Sequence, residues 1–435
     1  MRLVDMRDKY ESCSQSFSFF GVRLTFLLTL WGSSGAAFGM DQLNAYKVIS
    51  IEGRDVPSAL YQKTNNLSLA AIFDGEIEPI PFQIDEYNIG GAVFFPDWSV
   101  PMAGEIGVFD NTDRLLFVYK DAGPRRTNQR ADGKVIAEIE LTSKRGGKRY
   151  VYLMNGSRLR ADEQYVRYSA DDGLVETDFY SLTYNAENHL VWKDFDVFSY
   201  NGENPFDEMK LRFSSSIPNI TLTNENITAE PKGTNVGPIR NTTQLLVTLD
   251  LLGVPLATGS MQLHHYPNSI IYDMRIVVPE ILQLMIVDPK LTLSLDGNQL
   301  RGAIVRTALG PDQPGIVDGV IDDIEKSMIV AGAERTNNWI HISSQKQMDT
   351  VSFLDFLDDS DEPLSIVYVD DDDIQESSER FRGQLPNVGY GINGFPKSGL
   401  FAFSASLYIS EAFQGDPKYF VHDLRSLPEI AVYSE

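Results

Sequence analysis

Carboxylates grouped at short spacing are the residues of this chain best suited to chemistry. Asp355, Asp358, Asp359, Asp361 and Glu362 fall within eight positions, and Asp370–Asp373 with Glu376 and Glu379 follow one apolar run later. Hard oxygen ligands gathered in a loop suit Ca²⁺, which nominates Asp358, Asp361, Asp370 and Asp372 as ligands. The run Leu364–Val369 between the two groups spans about 20 Å when extended, at ~3.3 Å per residue, so they need not form one site. EF-hand spacing is absent, because the glycine at loop position 6 and the glutamate at position 12 are missing. The competing reading is a solvated acidic loop. Asp110-Asn-Thr-Asp113 is first a β-turn sequence and second a source of calcium ligands, Asp110 and Asp113. If residues 317–330 are helical, Asp318, Asp322 and Glu325 share one face.

The five histidines are His189, His264, His265, His341 and His422, and no HxH or HExxH spacing occurs. His264 and His265 are adjacent in a strand-like run, so they point to opposite faces. There is no G-x-S-x-G elbow and no Walker A loop. One G-x-G-x-x-G string, Gly389 to Gly394, has no strand signal before it and Pro396 after it. That context fails the dinucleotide-binding test, and the string reads as a turn-rich loop. Aromatic residues make up 11% of the chain. Trp192 and Tyr200 are candidate sugar-stacking residues, with core packing the alternative role for every aromatic in a β protein.

The elements that must position these groups are strands. Period-two alternation and β-branched or aromatic runs recur at Tyr46–Ile51, Leu115–Tyr119, Val135–Leu141, Arg149–Leu153 and Val175–Tyr184. They continue at Leu245–Leu251, Ser269–Val278, Leu364–Val369 and Leu400–Ile409. Lys144-Arg-Gly-Gly-Lys148 is a hairpin loop. Helical periodicity is confined to Val317–Val330 and Thr350–Leu357. The expected fold is therefore all-β, an antiparallel sandwich with few short helices.

Residues 1–39 read as a secretory signal: Arg2, Arg7, Lys9 and Arg23 precede the apolar run Leu24–Trp31, and small residues end at Gly39. The remaining chain divides into a β region 40–213, a polar linker or long loop 214–242, and a second β region 243–435. An acidic, Gly/Pro-rich insertion covers 355–398 and contains one strand.

Of 435 residues, 37 are basic and 61 acidic, a net charge of −24; without segment 1–39 the balance is −25. Such a surface repels nucleic acid and anionic membranes. The single cysteine, Cys13, lies inside the signal segment, so no disulfide or thiolate zinc site is expected beyond it. No apolar run of 18 or more residues follows the signal, so no membrane span is expected there. These features place the protein in the periplasm or outside the cell.

Two further stretches carry a resemblance. Pro81-Phe-Gln-Ile-Asp-Glu86 followed by Asp113–Gly123 is similar to exported prokaryotic β proteins. Gly237-Pro-Ile-Arg240, followed by strands ending at Tyr266-Pro-Asn268, resembles the galactose-mutarotase-like supersandwich of polysaccharide lyases. The resemblance implies large antiparallel sheets and a concave face suited to a polysaccharide. It makes Asp85, Arg240, His265 and Tyr266 candidate catalytic residues and Gln83 a candidate ligand-binding residue. The functional expectation is an exported protein that binds a glycan or an envelope protein without catalysis. The alternative is a polysaccharide lyase or hydrolase.

Overall fold

The computed structural model describes residues 45–200, 204–251, 253–345, 347–357, 362–373, 386–394, 399–413 and 416–435. The signal segment, Asp358 and Asp361 lie outside the described residues.

The architecture is all-β and antiparallel. A small amino-terminal sandwich faces β1 (Val48–Glu52), β5 (Arg114–Val118) and β4 (Phe82–Asp85) against a five-stranded sheet. That second sheet contains β2 (Leu67–Phe73), β3 (Glu76–Pro79), β6 (Lys134–Thr142), β7 (Lys148–Asn155) and, from the far end of the chain, β26 (Glu429–Ser434). Ile49, Ile51, Leu115 and Phe117 bury their side chains against Leu69, Ile139, Leu141 and Val151 between the two sheets. The Lys144–Lys148 stretch closes the β6–β7 hairpin as its glycines predict.

A four-stranded sheet follows, made of β8 (Arg167–Ser169), β9 (Leu174–Glu176), β10 (Tyr180–Tyr184) and β11 (Trp192–Val197). The run expected as one strand over Val175–Tyr184 is thus two. The hydroxyl of Thr177 accepts the Phe179 and Tyr180 N–H groups and turns the chain, a side-chain turn that hydrophobic patterning does not reveal.

The larger sandwich sets a nine-stranded sheet against a five-stranded one. The first runs β14 (Ile227–Asn235), β15 (Asn241–Leu251), β16 (Val254–Tyr266), β17 (Ser269–Val277), β25 (Leu400–Glu411), β22 (Met348–Phe356), β21 (Ile340–Ser343), β19 (Ile304–Thr307) and β20 (Gly315–Ile316). The second runs β13 (Ile220–Leu222), β12 (Phe206–Ser215), β18 (Lys290–Gly297), β24 (Asn387–Asn393) and β23 (Leu364–Val369). Leu245, Met261, Leu263, Tyr272 and Phe403 share one core with Leu291, Leu293, Val388 and Tyr390. Three short helices complete the described residues: α1 (Glu280–Met285), α2 (Asp323–Ala331) and α3 (Pro417–Arg425).

Several local expectations are corrected. Thr350–Leu357 is not a helix but most of β22, which lies between β21 and β25 and is buried on both faces along most of its length. Double-sided burial erases the polar alternation that marks a strand. The G-x-G-x-x-G string is not a loop, because Gly389 and Gly391 lie within β24. A side chain at Gly389 would reach to 2.1 Å from the Leu293 carbonyl oxygen, so glycine serves close strand approach there. The acidic stretch 355–398 carries two strands, β23 and β24, and the stretch 214–242 carries β13 and β14. Within 317–330, the helix begins at Asp323, with Asp322 and Glu325 forming a capping box.

Candidate functional site

Strand alternation builds the first part of the site. In β4, Phe82 and Ile84 turn into the amino-terminal core, so Gln83 and Asp85 project from the opposite face. That face meets the nine-stranded sheet. Gln83 Nε2 donates to Asp85 Oδ1 at 2.6 Å, and Gln83 Oε1 accepts the Arg240 N–H at 3.0 Å. Arg240 Nη2 donates to Asp85 Oδ2, Arg240 Nη1 to the Tyr266 hydroxyl at 2.8 Å, and Arg240 Nη2 to the Tyr87 hydroxyl at 3.3 Å. Burial opposes the charge on Arg240, but Asp85, Tyr266 and Tyr87 together hold its pKa well above the ordinary value. Burial pushes the Tyr266 phenol up, and the Arg240 charge only partly offsets it. Arg240 Nε is buried without a protein acceptor.

The structure thus brings Gln83, Asp85, Arg240 and Tyr266 into one cluster and adds Tyr87, which the sequence reasoning missed. Tyr87 stands two positions beyond Asp85, and alternation from Gln83 and Asp85 was the available signal. His265 goes elsewhere. It lies across the sheet from Tyr266, with its Nδ1 3.1 Å from the Tyr180 hydroxyl and its Nε2 3.0 Å from the Tyr184 hydroxyl. Burial, with His189 adding a smaller effect, pushes His265 down to about 3, so it is neutral at physiological pH. His264 takes the other face and pairs with Thr242 at 3.0 Å.

Beside this cluster lies a cleft of about 190 Å³. Its floor is the outer face of the nine-stranded sheet: Tyr266, Ser269, Ile271 and Tyr408, with Asn268 in the β16–β17 turn. One wall is Val48, Ser50 and Leu116 of the small three-stranded sheet, and the other is Leu424 and Leu427 at the end of α3. Phe420, Val421 and Leu424 seat α3 on Val351 and Phe353 of the sheet. Lys47 Nζ donates to the Asp423 and Ser426 carbonyls, the second at 2.6 Å. A cation at a helix C-terminus is favoured by the exposed carbonyl dipoles. No local pattern marks Lys47 or α3, since the contact joins residues 376 positions apart.

The remaining candidates are dispersed. Trp192 is buried in the large core and donates from Nε1 to the Tyr272 hydroxyl at 3.0 Å. Tyr200 packs against the same core, with its hydroxyl on the Gln299 carbonyl at 2.8 Å. Asp370 is buried and accepts the Asp318 and Gly319 N–H groups at 2.9 and 3.1 Å. Asp372 forms a two-pronged pair with Arg301 at 2.9 and 2.7 Å. Asp110 and Asp113 sit together in the turn before β5.

No protein-family model matches the chain, and no curated protein matches it. Among solved structures, it is similar to an alpha-mannosidase from Enterococcus faecalis V583, at TM-score 0.49 and 12% identity over 90% of this chain and 45% of that one. A protein in glycosyl hydrolase family 38 from Enterococcus faecalis gives TM-score 0.48 and 9% identity over 90% of this chain and 46% of that one. Aspergillus nidulans amine oxidase gives TM-score 0.31 and 8% identity over 85% and 71%. The chain spans less than half the length of the two enterococcal proteins. At such values no activity passes from these proteins to this one.

Proposed function

We propose that this is an exported binding protein that holds a neutral glycan in the Tyr266–Tyr408 cleft without turning it over. The observation that carries the reading is the chemistry of that lining. Two tyrosines, an asparagine and two serines, Ser50 and Ser269, stand among aliphatic side chains; no carboxylate lines the cleft, and its one cation, Lys47, is bound to the Asp423 and Ser426 carbonyls. Aromatic faces and neutral hydrogen-bonding groups suit a polyhydroxylated, uncharged ligand. The groups with acid–base capacity are committed elsewhere: Asp85 and Arg240 bind each other, and His265 is across the sheet. A lyase or hydrolase needs such groups within hydrogen-bond reach of its substrate. The raised pKa of Tyr266 keeps its phenol protonated, so little phenolate is present to act as a base. The amino-terminal signal pattern supports export.

Calorimetric titration of the protein with a panel of neutral oligosaccharides, alongside a reducing-end assay, tests the reading. Saturable binding that is lost in the Asn268→Ala/Tyr408→Ala double variant, with no new reducing ends, is expected. Turnover abolished by one point change, or no binding across the panel, overturns it.

A further inference from the structure

The turn that ends at β5 holds a second arrangement, independent of the cleft. Asp113 is fully buried, and Asp110 lies three residues before it. One oxygen of each carboxylate is fixed by donors. Asp113 Oδ2 accepts the Asp110 N–H at 2.9 Å, and Asp110 Oδ1 accepts the Thr112 N–H at 3.1 Å and its hydroxyl at 2.9 Å. The other two oxygens, Asp113 Oδ1 and Asp110 Oδ2, are buried and have no hydrogen-bond donor. Glu86 adds a third carboxylate nearby and is tied to the same loop by the Gly107 N–H.

Buried anionic oxygens without donors are costly unless a cation compensates them. No lysine or arginine is paired with either carboxylate among the described ion pairs. The neighbouring cation, Arg114, turns instead to Glu52 at 2.8 Å.

We infer that Asp113 Oδ1 and Asp110 Oδ2 are ligands of a divalent cation, with Ca²⁺ the class they fit. The donors are all oxygen, and the loop is irregular, with Gly104 and Gly107 both at positive φ. Calcium accepts variable coordination and single carboxylate oxygens, whereas magnesium demands a near-ideal octahedron. Among the described residues no three Asp, Glu, His or Cys side chains converge as a metal-binding group. The ion therefore takes two carboxylate oxygens from the protein and fills its shell with main-chain carbonyls and water. Such a sparse site belongs with extracellular modules that bind calcium at roughly 0.1–1 mM. It would anchor the loop that leads into β5, whose Leu116 lines the glycan cleft.

The test is calcium stoichiometry by equilibrium dialysis, with thermal melting in excess calcium against chelator, on the full chain. Wild type should bind calcium and melt higher in its presence. Asp113→Asn should lose that shift and, in chelator, melt above wild type, because one buried negative charge is gone. Asp110→Asn, a change at a more exposed position, should weaken calcium binding at least tenfold. A control variant, Asp370→Asn/Asp372→Asn, should keep the shift. Equal midpoints for wild type in calcium and chelator, or a full calcium shift retained by both Asp113→Asn and Asp110→Asn, overturn the inference.

Discussion

Asp85 and Arg240, 155 positions apart in sequence, form an ion pair with both side chains at 4% exposure or less. The pair is where β4 of the small sandwich meets the segment entering β15 of the nine-stranded sheet. Gln83 on one side and Tyr266 and Tyr87 on the other add hydrogen bonds to the pair, leaving Arg240 Nε without a protein acceptor, so most of the buried charge is compensated. The contact fixes how the two sheets face each other across the cleft.

Removing one partner should therefore be severe. Asp85→Ala or Arg240→Ala leaves an uncompensated buried charge, which costs about 3–5 kcal/mol. The pair replaced together, Asp85→Ala/Arg240→Ala, should lose much less than the sum of the single changes. Denaturant unfolding of the four proteins as a double-mutant cycle measures the coupling. Additive losses would show that the two side chains act separately.

Tyr266→Phe keeps the ring on the cleft floor and removes only the hydroxyl that accepts from Arg240. A hydrogen bond to a charged group is worth about 1.5–3 kcal/mol, so stability should fall by that order. Glycan affinity should change less than in Asn268→Ala/Tyr408→Ala. Parallel unfolding and titration curves separate the two effects.

The pH dependence has a definite sign at Asp121. Burial pushes this carboxyl up to about 6 from 3.8, and the Tyr165 hydroxyl at 2.7 Å only partly offsets it. Its stabilisation is fully present below the unfolded value and is lost as pH rises through about 6, a swing of about 3 kcal/mol. His189 and His265, pushed down to about 4 and about 3 mainly by burial, act oppositely: their contribution is lost as pH falls from 6.5 toward those values. The difference between wild type and Asp121→Asn isolates the aspartate. That difference should favour Asp121→Asn increasingly from pH 4 to 7, and a flat difference would reject the assignment.

Alternation made the fold and part of the site legible. The Phe82–Asp85 alternation puts Gln83 and Asp85 on one strand face, and alternation also separates His264 from His265. The same rule groups Tyr266 with His264 and leaves His265 behind, as observed. What the pattern does not carry is long-range partnership. Nothing local to Lys47 points to the end of α3, and nothing local to Asp113 shows that its oxygen will be buried without a donor. Pattern also fails where both faces of a strand are covered, as in β22, and where a side-chain turn interrupts a β-rich run, as at Thr177. Trp192 shows the limit for aromatics, since a core residue and a sugar platform have the same residue type and the same strand context.

Gly237 tests whether the junction depends on close approach. An added β-carbon there would lie 2.0 Å from Gln83 Oε1 and 2.2 Å from its Cδ, so Gly237→Ala must displace the Gln83 amide. That amide is not a loose side-chain end: it donates to Asp85 and accepts the Ile239 and Arg240 N–H groups. Moving it forfeits up to three hydrogen bonds at about 1 kcal/mol each and leaves Asp85 with fewer donors. The expected loss is roughly 2–3 kcal/mol by chemical denaturation. The companion change Gln83→Ala makes room for the alanine methyl but forfeits the same bonds. Gly237→Ala should therefore cost little more in a Gln83→Ala background, and full additivity of the two losses would rule out this route of coupling between the sheets.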